Sequence, residues 1–275
     1  MKIQNPFLSV TASSHGGEIS SIQLFSQEIV YQKTGSWEYS DHVLFPTIGI
    51  GSKYTCHEVP LTMEQHGFPR SRDFKETQIS GTEMSFSLSS SPDTLRVYPY
   101  PFEIVETLRL EDDTLIRSHE VRNIGGEEMP FGIGDHVAFQ VRYDKAKLTL
   151  PKTRFFPSNE VNSLQEEDLP IHGEVLLDIN RHFLCGQGTI ILKNTGEPLI
   201  LDTGKGVTIE FIFNCPYIAI WTPRIISDDF LCIEPWWGLP YQEGDELELA
   251  RRSCLNHLPA GERKIFTSRL RFRLS

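Results

Sequence analysis

Apolar residues recur at every second position over much of the chain, a period that predicts β-strands. In Val207-Thr208-Ile209-Glu210-Phe211-Ile212-Phe213 the side chains of Val207, Ile209, Phe211 and Phe213 fall on one face. Met84, Phe86 and Leu88 repeat the pattern with serines between them, and Ile265 to Leu274 alternates around Arg269, Arg271 and Arg273. Turn chemistry interrupts the strands at short intervals, as in Ser14-His15-Gly16-Gly17, Ser80-Gly81-Thr82, Asn123-Ile124-Gly125-Gly126 and Asn194-Thr195-Gly196. With 20 Gly and 17 Pro spread evenly, only short helices fit, near Ser91–Val97 and Leu164–Asp168. No linker, composition break or internal repeat divides the chain. The expected architecture is all-β: one domain over residues 1–275, a large antiparallel β-sandwich with two sheets face to face over an apolar core.

Composition narrows the partners. Apolar residues make up 39% of the 275, enough for a sizeable core, and no apolar run approaches the roughly 18 to 20 residues of a membrane span. The start of the chain, Met1-Lys2-Ile3-Gln4-Asn5-Pro6, lacks the apolar segment of a secretory signal, so the expected location is cytoplasmic and off the membrane. Five cysteines, Cys56, Cys185, Cys215, Cys232 and Cys254, form no Cys-x-x-Cys pair and read as buried free thiols. A formal net charge of −11 disfavours nucleic acid, which is bound through clustered Lys and Arg. A small ligand remains as the expected partner, and the sequence is silent on oligomeric state.

Two residues stand out against their surroundings. His136, in Ile133-Gly134-Asp135-His136-Val137-Ala138-Phe139, brings a titratable ring into a run that reads as buried strand. Such a ring is costly there without a hydrogen bond, and it titrates near ~6.5 when unperturbed, which suits proton transfer. Glu234 interrupts Phe230-Leu231-Cys232-Ile233 and precedes Pro235-Trp236-Trp237. Two readings fit it: an acid/base group with a raised pKa, or half of a buried ion pair with an arginine. Trp221, Trp236 and Trp237 are core residues or a surface on which a sugar ring stacks. His66, followed by Gly67 and trailed by Arg70 and Arg72, is a loop histidine or a ligand contact.

Taken in order, several motifs carry a resemblance: Val43-Leu44-Phe45-Pro46-Thr47-Ile48-Gly49, Gln65-His66-Gly67-Phe68-Pro69-Arg70, Met129 to Phe139, Ile220-Trp221-Thr222-Pro223 and Cys232-Ile233-Glu234-Pro235-Trp236. Together they resemble the aldose 1-epimerase (galactose mutarotase-like) family, in particular a bacterial branch typified by a lactose-operon accessory protein. The resemblance spans nearly the whole chain. It implies a β-supersandwich and a cofactor-free, metal-free interconversion of the α and β anomers of an aldose. By the same resemblance His136 is the general acid toward the ring oxygen and Glu234 the general base toward the anomeric hydroxyl, while His66 and Arg70 contact the sugar beside Trp236. Relatives commonly read Gly-Gly-His-Pro-Ala-Phe where this chain has Asp135 and Val137 around His136, so Asp135 becomes a candidate substrate contact, a holder of the His136 tautomer or a mere turn of the strand. An arginine usual after the Leu-Phe-Pro motif is replaced by Ile50, and Gln187-Gly188 stands where Asn-Asp is common. Three functions follow: a mutarotase, a weakly active or inactive sugar-binding protein, and a hexose-6-phosphate mutarotase that clamps phosphate with Arg70 and Arg72.

Overall fold

The computed structural model describes residues 1–35, 37–50, 53–157, 166–178, 184, 188–223, 229–242 and 244–275. Cys185, Gln187 and the first two residues of the Leu164–Asp168 segment lie outside that set. The expected alternation appears as built. Val207–Phe213 buries Val207, Ile209, Phe211 and Phe213, and Arg263–Leu274 buries Phe266, Ser268, Leu270 and Phe272 while its arginines face water.

Two large antiparallel sheets dominate. The first has nine strands, in the order Gly173–Leu176, Lys147–Leu150, Leu199–Asp202, Val207–Phe213, Arg263–Leu274, Thr114–Asn123, Phe102–Glu111, Glu83–Ser89 and Lys75–Gln78. The second has eight. Seven run Glu167–Asp168, Arg154–Pro157, Ile190–Lys193, Tyr217–Trp221, Phe230–Trp237, Ile133–Asp135 and Val43–Leu44, and Ala138–Gln140 pairs with Phe230–Trp237 beside that path. A four-stranded sheet, Lys2–Gln4, Leu8–Ala12, Ile19–Leu24 and Gln27–Glu28, adds Ile3, Leu8, Val10, Ile19 and Ile22 to the shared core.

The helix expected near Ser91 forms over Pro92–Val97, where Ser91 accepts from Thr94 N and Thr94 returns the bond to Ser91 N. In the described part of the second expected helix, Glu167–Asp168 pairs instead as a strand with Arg154 and Phe155. Pairing at the edge of the sheet decides its form. Cys56, Cys215 and Cys232 are buried free thiols, and Cys254 is half-buried. Among the described residues no helix is long and apolar enough to cross a membrane.

Phe230–Trp237 is buried along all of its residues, lying between neighbouring strands of its sheet with the core on one face and the floor of a recess on the other. Leu231, Ile233 and Trp237 join the main core. The intervening residues point to the other face, which opens into a cleft.

Candidate active site

The cleft has a volume of about 780 Å³ and is lined by residues from every motif singled out in the sequence, among them His66, Arg70, His136, Trp221, Glu234 and Trp236. Strand period places Glu234 and Trp236 there together: residues two apart share a face, and Trp236 Nε1 donates to Glu234 Oε2 at 3.1 Å. His136 follows directly on Ile133–Asp135, whose Gly134 pairs with Trp236. The ring thereby comes over the carboxylate, with Nε2 of His136 3.3 Å from Oε1 of Glu234. That contact lacks hydrogen-bond alignment, and both Glu234 Oε1 and His136 Nδ1 are buried without a partner among the described residues. Among the described residues no arginine pairs with Glu234, whose carboxyl accepts from an indole and lies beside an imidazole.

Burial sets the protonation of the pair. Glu234, 1% exposed, has its pKa raised well above the usual carboxylate value, chiefly by desolvation and against the Trp236 bond. His136, 4% exposed, is pushed down to about 3, mainly by desolvation, with the nearby Arg70 charge adding to it. Burial therefore favours the neutral form of each group.

His66 reaches the same cleft by a constrained turn. Its backbone is left-handed, φ 64°, and Gly67 follows at φ 77°. Three bonds tie it to the Phe45–Gly49 segment: Phe45 N to His66 O at 3.2 Å, His66 N to Gly49 O at 2.7 Å, and Gly49 N to His66 Nδ1 at 3.2 Å. Nδ1 thus accepts from the backbone, while Nε2 lies 3.3 Å from the Gln65 side-chain amide nitrogen, in a contact whose donor is set by the tautomer. Arg70 sits in a short 3-10 turn, Pro69–Ser71, stacks its guanidinium 5.4 Å over the Tyr39 ring and approaches Glu64 at 3.7 Å.

Asp135 is not in the cleft. One position before His136, it points to the opposite face, where it accepts from His119 Nε2 at 2.6 Å and Ser268 Oγ at 3.3 Å and lies 3.1 Å from Arg117 Nε. It neither reaches a sugar in the cleft nor touches the His136 ring nitrogens. Alternation along the strand dictates this: if residue 136 faces the cleft, residue 135 cannot. Arg72 likewise is not among the cleft-lining residues, whereas Ile50 is, 53% exposed where an arginine was expected.

Other cleft residues escaped the sequence reading. Trp37 lies nearly parallel to His136, centroids 5.3 Å apart, and meets Trp221 at 5.0 Å. Lys53, Gln65, Tyr241 and Gln242 also line the cleft. His42 lies behind His136, near-parallel at 4.7 Å, with both ring nitrogens buried and unpartnered among the described residues. Candidate metal-binding atoms of His42, His66 and His136 come within 4.8 Å of one another. A cation fits them poorly, since Nδ1 of His66 is taken by Gly49 N–H and the site already disfavours positive charge on all three imidazoles, chiefly through burial, with the Arg70 charge adding to it. The donors and the indole faces suit a polyhydroxylated, neutral or anionic ligand better.

Solved structures share this arrangement of strands. A galactose mutarotase related enzyme from Lactobacillus acidophilus superposes with a TM-score of 0.91 at 24% identity, over 99% of this chain and 97% of its own. A galactose mutarotase-like protein from Lactobacillus casei gives 0.90 at 26% identity over 99% of both chains. The galactose 1-epimerase from Lactobacillus acidophilus gives 0.80 at 13% identity, over 100% of this chain and 94% of its own. No curated protein sequence matches the chain. The profile described as Aldose 1-epimerase matches residues 1–236, and the chain belongs to that family.

Proposed function

We propose that the protein is an aldose 1-epimerase that interconverts the α and β anomers of an aldose by opening and reclosing its ring. The observation that carries this is the His136–Glu234 pair, 3.3 Å apart on one wall of the cleft. The anomeric hydroxyl oxygen and the ring oxygen hang from the same carbon, so groups that serve them must be neighbours. The sugar lies across the pair rather than between its members, for which 3.3 Å leaves no room.

Glu234 takes the proton of the anomeric hydroxyl as His136 gives one to the ring oxygen. The C1–O bond to the ring breaks, and an open-chain aldehyde forms. Rotation about the adjoining C–C bond presents the other carbonyl face, and reclosure returns both protons. The catalyst ends with the proton count it began with, so a pair holding one proton suffices. Desolvation favours the neutral pair at rest, with the proton on Glu234. Sugar hydroxyls that hydrogen-bond the carboxylate shift that proton onto His136 and assemble the acid and the base. His66 and the Arg70 guanidinium orient hydroxyls, and Trp236 and Trp221 offer apolar faces to the ring.

A second reading, hexose-6-phosphate as substrate, draws on the two cations of the cleft, Lys53 and Arg70, against Glu234 as its one carboxylate among the described residues. The test is anomer exchange by two-dimensional NMR for free hexoses and their 6-phosphates, with binding measured by calorimetry on the same samples. Accelerated exchange of a free hexose supports the proposal, and acceleration confined to phosphates selects the second reading. Saturable binding without acceleration contradicts both and leaves a sugar-binding protein.

A further inference from the structure

The tripeptide Asp-His-Val occurs twice, as Asp41-His42-Val43 and Asp135-His136-Val137. In the fold the two copies lie antiparallel and adjacent. Val43 pairs with Asp135, and His136 N donates to His42 O at 3.0 Å. Alternation therefore sends both imidazoles to one side, where they lie near-parallel at 4.7 Å, and both carboxylates to the other.

On that other side waits a single guanidinium. Arg117 comes from Thr114–Asn123, a strand of the nine-stranded sheet, and is 1% exposed. Its Nη1 donates to Asp41 Oδ1 at 2.9 Å, its Nε donates to Glu106 Oε1 at 2.6 Å, and the same Nε lies 3.1 Å from Asp135 Oδ1. Asp41 is held further by Ile19 N at 3.1 Å, and Asp135 by His119 and Ser268. The fork of Arg117 thus joins the two Asp-His-Val copies to each other and to the facing sheet. Lysine, a point charge without the planar fork, does not reproduce this.

We propose that Arg117 is a positioning residue: by holding Asp41 and Asp135 it fixes the paired Asp-His-Val segments, and with them the ring of His136 over Glu234. Its effect on the reaction rests on the epimerase reading above; its effect on the ring does not. Arg117 does not line the cleft, so a catalytic loss on replacing it cannot come from a lost sugar contact. A misplacement of about 1 Å in a reacting group costs on the order of 10²-fold in rate, which sets the size expected.

The experiment uses the full chain as wild type, Arg117→Met, Arg117→Lys and Asp41→Asn. Two readouts are taken: kcat and KM for anomer exchange per folded molecule, and ring resonances of His136 and His42 in histidine-labelled protein, assigned with His136→Ala and His42→Phe. Arg117→Met is expected to lower kcat roughly 10²-fold with KM changed less than about threefold, and Arg117→Lys to recover part of the loss. The His136 and His42 resonances should move in Arg117→Met, because their shifts depend on the stacking of the rings. Should Arg117→Met fail to fold, Asp41→Asn, which keeps the shape and removes one carboxylate, is expected to show the same pattern at roughly tenfold. Folded variants with wild-type kcat and unmoved resonances overturn the proposal, since a purely structural role lowers only the folded fraction. If wild type fails to accelerate exchange, the epimerase reading fails instead, and the resonances still decide whether Arg117 positions the ring.

Discussion

At the scale of single residues, the site depends on two groups whose charged forms are both disfavoured by burial, so the relevant variable is the number of protons on the pair. It works with one. A second proton arrives only as pH falls toward the depressed His136 value of about 3, and the single proton leaves only above the raised Glu234 value. The pH profile of kcat/KM should accordingly stay flat as pH is lowered from 7 through the ordinary histidine range near ~6.5. A half-loss of kcat/KM near that value would show His136 titrating as a solvated ring and would contradict the shared proton. His136 and Glu234 were legible in the sequence because each is polar inside an apolar run. Asp135 misled because adjacency in sequence was read as adjacency in space, although a strand separates neighbours onto opposite faces. His42 carried a usable signal, the repeat of Asp-His-Val, whose meaning becomes visible only when the two copies are paired.

At the scale of elements, the turn at His66-Gly67 is the tightest piece of construction in the site. A Cβ on Gly67 would stand 1.8 Å from the carbonyl oxygen of Phe45, at a backbone φ of 77°. Gly67→Ala is therefore expected to destabilise the protein by about 2–4 kcal/mol in denaturant unfolding and to raise KM through a displaced His66. Unchanged stability would mean that the Phe45–Gly49 segment yields freely. Amphipathic strands such as Val207–Phe213 were readable, since one face is wet. Phe230–Trp237 was not divisible in the same way: it is buried on both faces, so its apolar run hides which residues look into the core and which into the cleft. The helix Pro92–Val97 is closed by the local Ser91 cap, whereas Glu167–Asp168 takes its form from Arg154 and Phe155, a contact that local propensity does not encode.

At the scale of the whole molecule, the eight-stranded sheet carries Glu234 and the Ile133–Asp135 strand that leads into His136, the proposed reacting groups, and the nine-stranded sheet supplies Arg117, Glu106 and His119 behind them. On the positioning role proposed for Arg117, the core between the sheets serves the cleft as well as stability. The cleft holds the cations Lys53 and Arg70 in a chain of net charge −11, a local reversal of sign that composition conceals. The central claim is that one proton shared by His136 and Glu234 opens and recloses an aldose ring. The most direct measurement is anomer exchange by NMR with wild type, His136→Ala, Glu234→Gln and the double variant. Each single change is expected to lower the rate on the order of 10²–10⁴-fold, and the double variant should lose no more than about threefold beyond the worse single, because the two groups act as a unit. Equal exchange in all four proteins would contradict it.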